Sequence, residues 1–144
     1  MAATDEALCE KLRAHGHALV QGCSSLPRID GIGIGLTPST DDYLLGLLAV
    51  GQACNLVWVE RLEASVRTVL GNLAPVSRLM LEHALDGDYP EVVVRLFERR
   101  DRSALFDFMR HGETSGFDML CGMLGALWIS APNTMQMIGA AGSL

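Results

Sequence analysis

Thr37-Pro38-Ser39-Thr40-Asp41-Asp42-Tyr43-Leu44-Leu45-Gly46-Leu47-Leu48 is echoed 76 residues further on by Glu113-Thr114-Ser115-Gly116-Phe117-Asp118-Met119-Leu120-Cys121-Gly122-Met123-Leu124. Both read S-x-x-D-x-L-x-G-x-L, pairing Ser39 with Ser115, Asp42 with Asp118, Leu44 with Leu120, Gly46 with Gly122 and Leu48 with Leu124. A Ser followed three residues later by Asp, ahead of an apolar run, has the form of a capping box. The hydroxyl takes a free N–H, and the acid sits at the positive end of the helix dipole. Gly46 and Gly122, about two turns into their helices, lack the Cβ that would hold another backbone away. The pattern predicts two apolar helices crossing at these glycines about a local twofold axis. Ser39, Asp42, Ser115 and Asp118 then fall into one neighbourhood.

Working outward, the remaining segments also read as helices. Residues 4–22 carry Leu8, Leu12, Leu19 and Val20 among polar residues, with Thr4 ahead of Asp5 and Glu6 as the expected cap. Turn formers crowd residues 21–32, which predicts a loop. The almost unbroken apolar run of 43–50 predicts a central helix hidden on all sides. Residues 58–70 return to amphipathic spacing and close on Gly71 and Asn72. Helices follow at 76–85, at 90–98 behind Pro90, and at 101–110. A second strongly apolar helix spans 117–129, and Pro132 marks a point beyond its end. Residues 133–144 are expected to form a loosely held tail. The β-branched Val92-Val93-Val94 is the one strand-like triplet. The expectation is an all-α fold, a compact multi-helix array around two buried helices, forming a single domain over 1–144.

The charge balance narrows the partners. Eleven basic residues against 17 acidic ones give a formal charge of −6, and Lys11 is the only lysine, so no basic stripe exists to track nucleic acid. The most apolar stretch, 44–59, is broken by Gly46, Gly51, Gln52 and Asn55, which argues against a membrane span. The N-terminus has neither a basic n-region nor an apolar run, and a cytoplasmic location is expected. A mean hydropathy of +0.26 leaves apolar surface for another chain to cover, so a homo-oligomer or larger partner subunits are expected. Cys9, Cys23, Cys54 and Cys121 form no metal or redox pair and read as buried thiols.

Gly31-Ile32-Gly33-Ile34-Gly35-Leu36 precedes the first motif copy. Alternating glycines at a helix start let backbone N–H groups approach an anionic small molecule, although the pattern is neither G-x-G-x-x-G nor a P-loop. Asp41, Asp42, Glu113 and Asp118 exceed what capping needs. Asp41, Asp42 and Asp118 are candidate ligands for Mg2+, with a solvated acidic helix start as the alternative. His111, in a loop between helices, is a candidate for orienting a substrate or transferring a proton, with C-capping of the preceding helix as its alternative. His15 and His17 read as surface residues, and Arg99, Arg100 and Arg102 as a solvated charged turn.

Taken together, G-x-G-x-GLTPS-x-DD-x-L-x-G and the later G-x-TSG-x-D-x-L-x-G resemble the AllH family, small subunits of oxamate carbamoyltransferase. The resemblance runs over about residues 31–128. It implies a carbamoyl-transfer complex with two larger partner subunits, one related to acyl-CoA synthetases, interconverting oxamate plus carbamoyl phosphate with oxalurate and phosphate. It implies a site made of Gly33, Gly35, Thr37, Pro38, Ser39, Asp41 and Asp42 with Thr114, Ser115, Gly116 and Asp118. With the residue reading, it nominates Asp42, Asp118 and His111 as catalytic, and Gly33, Gly35, Thr37, Ser39, Thr114, Ser115 and Gly116 as substrate-binding. The chain departs from the family in carrying Ile34 where Pro is usual and Thr40 where Gly is usual. It is also short for the family, which suggests a truncated N-terminus and an activity that needs other chains. The competing expectation is a non-catalytic scaffold or assembly module, with a homodimer as one form, in which the motifs serve helix packing only.

Overall fold

The computed structural model describes residues 2–33, 36–110 and 115–131. Among them are seven helices: α1 (Ala2–Gln21), α2 (Ser39–Ala53), α3 (Val59–Val69), α4 (Pro75–Leu85), α5 (Glu91–Phe97), α6 (Ser103–Arg110) and α7 (Ser115–Ile129). A 3-10 turn, Leu70–Asn72, joins α3 to α4. No described residue is in a strand, and Val92-Val93-Val94 lies within α5. The fold is all-α, as the periodicity predicts. No helix among the described residues is long and apolar enough to cross a membrane.

Glycines close two of the helices, and prolines stand at the start of two. α1 ends where Gly22 takes φ +72°. There Gly22 N–H bonds the Leu19 carbonyl at 3.3 Å and Cys23 N–H bonds that of Ala18 at 3.1 Å, the double bond of a Schellman turn. Gly87, with φ +81°, ends α4 likewise, as Asp88 N–H reaches back to the His83 carbonyl at 2.9 Å. Pro75 opens α4 and Pro90 immediately precedes α5, both at positions where a missing N–H goes unnoticed. At the other end of the chain α1 starts at Ala2, upstream of Thr4, so Thr4 lies inside the helix and is not its cap.

α2 is the centre of the molecule. Every residue from Leu44 to Gly51 is buried, and so are Thr40, Asp41 and Asp42 in its first turn. Around it pack Leu19 of α1, Leu62 and Val66 of α3, Leu81 and Ala84 of α4, Val92 and Val93 of α5, Phe108 of α6, and Met119, Met123 and Ala126 of α7. The one polar residue near its end, Gln52, accepts a hydrogen bond from Tyr89 Oη at 2.6 Å and donates to the Ala84 carbonyl and to Glu63, each at 3.0 Å. That clamp satisfies an amide that would otherwise be stranded in an apolar helix.

Three expectations need correction here. α7 is not buried on all sides: Phe117, Leu124, Leu127 and Trp128 are more than half exposed, since no described element covers its outer face. His15 is buried at 2 % exposure, beside Leu44, Val66 and Val69, because it lies on the inner face of α1 with Leu19. Burial alone lowers its pKa to about 4. The cysteines are free but not buried, with Cys9 and Cys54 exposed and Cys23 and Cys121 half-buried.

Candidate functional site

The crossing of α2 and α7 sets the geometry of the site. A Cβ on Gly46 would run into the Met119 carbonyl oxygen and stand 2.8 Å from the Met123 nitrogen, while a Cβ on Gly122 would run into the Tyr43 carbonyl oxygen. The obstacles are backbone on both sides, and each helix meets the residue of its neighbour that corresponds to its own. This is the twofold crossing expected from the repeat. The far ends stay together too, as Trp58 Nε1, just beyond α2, donates to Ser130 Oγ, just beyond α7, at 3.0 Å. The two helices therefore run in the same sense, with their N-termini side by side.

At those N-termini the hydroxyls of Thr37 and Ser115 are 2.9 Å apart and hydrogen-bonded. Both flank the Asp42 carboxyl. The bonded pair is Thr37 with Ser115, not Ser39 with Ser115. Nor is Ser39 a cap: it is the first residue of α2, Pro38 occupies the cap position, and no side chain there caps the helix. Proline has no hydroxyl, so the capping-box reading of this copy fails.

The polar side chains of the first turn point instead to the glycine loop. Asp41 Oδ1 accepts the Gly31 N–H at 2.8 Å. Thr40 Oγ1 accepts the Ile32 N–H at 2.9 Å and donates to the Ile32 carbonyl at 3.2 Å, which also takes the Thr40 N–H at 3.1 Å. Thr40 thus fastens the loop to the helix. Gly33, at φ +132°, lies on the start of α2 so closely that a Cβ would strike the Ser39 nitrogen. No other residue type fits there. Just upstream, Arg28 holds Asp30 through two bonds of 3.0 and 2.7 Å.

Electrostatically the site is acidic, and its two α2 carboxyls are buried. Asp41 and Asp42 are 3 % and 2 % exposed. Desolvation raises the Asp42 pKa to about 6; the Ser115 and Thr37 hydroxyls oppose the rise, and the charges of Asp118 and Asp41 add to it. One oxygen of each acid, Oδ2 of Asp41, Asp42 and Asp118, is buried without a hydrogen-bond partner. Such acceptors are costly in a folded chain.

The other nominated residues divide as follows. Gly116 is buried because a Cβ there would overlap the Phe108 carbonyl of α6, so its small size is explained by packing. Gly35, His111 and Thr114 lie outside the described residues, as does Glu113. Asp41 turns one oxygen to Gly31, and among the described residues no group of three His, Cys, Asp or Glu side chains is placed as metal ligands would be. A feature missed in the sequence is an apolar groove of about 740 Å³ between α1 and α7, lined by residues such as Leu12, Val20, Tyr43, Gly125 and Trp128. None of the motif acids lines it.

Compared with known proteins, the chain matches no curated protein and no solved structure. It does match the family model of the oxamate carbamoyltransferase subunit AllH, over residues 29–127. That span takes in the Asp41-anchored glycine loop, the Thr37–Ser115 tie and the Gly46–Gly122 crossing, and the chain belongs to the AllH family.

Proposed function

We propose that this chain serves as a subunit of a cytoplasmic carbamoyltransferase assembly, holding a small metabolite at the joined N-termini of α2 and α7. The observation that carries this reading is the convergence of Thr37, Asp42, Ser115 and Asp118 from segments 76 residues apart in sequence. The helix dipoles favour the anionic end of oxamate or carbamoyl phosphate. Asp42, poised near neutrality, is suited to proton transfer. Asp118 tunes Asp42 by its charge. His111 and Thr114, which immediately precede α7 in the chain, complete the nominated site. Turnover requires the larger partner subunits, and the exposed face of α7 is the surface offered to them or to a second copy.

Thermal-shift and calorimetric titration of the full chain with oxamate and with carbamoyl phosphate tests the reading. Binding of at least one is expected, and its loss in Asp42→Asn follows; no response to either ligand rejects it. The packing of Gly46, Gly116 and Gly122 against backbone favours a second reading, an assembly module in which the motifs only pack helices. On that reading Asp42→Asn changes stability and no ligand binds.

A further inference from the structure

We propose that the groove between α1 and α7 is the seat of the chain's own C-terminal segment, residues 132–144, with Met135, Met137 and Ile138 as the side chains that fill it. Leu12 and Val20 of α1, Tyr43 of α2, and Gly125, Trp128 and Ile129 of α7 line the groove. At about 740 Å³ it is far larger than a packing gap, since few voids in a protein interior exceed a water molecule. Val20 and Trp128 stand 47 % and 59 % exposed, and apolar surface gathered in a hollow marks a place that something covers.

Position, charge and composition point to the occupant. The described part of the chain ends at Ala131, just past Ile129, which itself lines the groove. From Ile129 the chain reaches Met135 over an extended span of up to about 20 Å, whereas Gly125 to Ile129 covers only about 6 Å of α7. Residues 132–144 include no Asp, Glu, Lys, Arg or His, although 19 % of the whole chain is charged. A partner chosen by charge would find both signs at the groove, where Glu10, Arg13 and His17 are exposed on α1; an uncharged segment opposes neither. Met135, Met137 and Ile138 supply apolar bulk, and the unbranched Met side chain adapts to an irregular hollow. A tethered segment also acts at an effective concentration in the millimolar range, an advantage that a second copy of the chain lacks. Phe117, Leu124 and Leu127, the other exposed apolar residues of α7, do not line the groove, so the segment and a partner subunit do not compete for them.

Methionine-methyl NMR of the full chain tests the proposal, with Met135→Leu and Met137→Leu assigning the two signals. Nuclear Overhauser contacts from both methyls to the Trp128 indole ring are expected, unchanged on dilution. Val20→Glu puts a charge into the groove at a position outside the core, and Ile138→Asp puts one into the segment. Each should abolish the contacts and raise the quenching of tryptophan fluorescence by acrylamide; Trp58 is 2 % exposed, so that signal reports on Trp128. Circular dichroism of both variants checks that the helices persist. Methyl signals at the position of free methionine, or contacts that survive both substitutions, overturn the proposal. Contacts that fade on dilution, or that cross between labelled and unlabelled chains in a mixed sample, overturn it in favour of a second copy as the occupant.

Discussion

Gly46 rests on Gly122: a Cβ on the first would stand 3.0 Å from the Cα of the second, and a Cβ on the second 3.1 Å from the Cα of the first. The carbonyls of Met119 and Tyr43 lie closer still. Gly46→Ala and Gly122→Ala are therefore expected to push the two helices apart. Overpacking of a core costs about 1–3 kcal/mol where side chains can yield; here backbone must move, and about 3 kcal/mol or more is expected for each. Urea unfolding at unchanged m-value reads the loss. Gly71→Ala, with nothing within 4 Å of its Cβ, is the matched control and should cost nothing.

The Thr37–Ser115 bond ties the two helix starts together, and the two hydroxyls oppose the rise of the Asp42 pKa. Ser115→Ala should cost about 1 kcal/mol in stability. It should also move the Asp42 pKa above its starting value of about 6, since a donor to the carboxylate is gone while its burial remains. A carboxyl-carbon NMR titration checks this. An Asp42 that titrates unchanged would show that Ser115 does not donate to it.

Much of this architecture was legible in the residues, and the exceptions have a common cause. Amphipathic spacing placed α3 and α4 to within a residue or so, because Leu62, Val66 and Leu81 face a core made by neighbours at helical intervals. The apolar run at 43–50 understated α2, which extends from Ser39 to Ala53. Its first turn is polar yet buried, and periodicity carries no mark of that. The 76-residue offset foretold the meeting of Gly46 with Gly122. It did not foretell that Thr37 would take the place given to Ser39, or that Thr40 and Asp41 would turn back to the glycine loop. Those choices depend on where the loop lies once folded, a tertiary matter. His15 was misread for the same reason: a polar residue on an apolar face was assigned to solvent.

The outer face of α7 bears Phe117, Leu124 and Trp128, each 57–65 % exposed, at spacings of seven and four that keep them in one row. Large apolar side chains in a row are what a partner chain covers. Leu124→Arg and Trp128→Lys should leave the melting temperature within a few degrees, because neither side chain is in the core. Both should abolish co-purification with the partner subunits of a carbamoyltransferase assembly. Retention of the complex by both variants would place the interface elsewhere.

Two buried groups should give the stability profile opposite slopes over one pH range. Asp42 holds its proton more tightly folded than unfolded, with a pKa of about 6 against an ordinary 3.8. Its stabilising contribution is complete below the unfolded value and is lost as pH rises from about 4 to 6. His15 does the reverse: its folded pKa is about 4 against 6.5, so the folded chain binds fewer protons, and stability is lost as pH falls from 6.5 toward 4. The two trends oppose each other, and the wild-type chain should show a shallow profile between pH 4 and 6.5. Asp42→Asn removes one arm, and its melting temperature should climb steadily with pH through that window. His15→Leu, an apolar replacement at a buried position, removes the other, and its melting temperature should decline as Asp42 ionises. Melting curves of the three proteins at half-unit pH intervals decide the matter. Parallel profiles for all three would mean that neither group changes its proton affinity on folding.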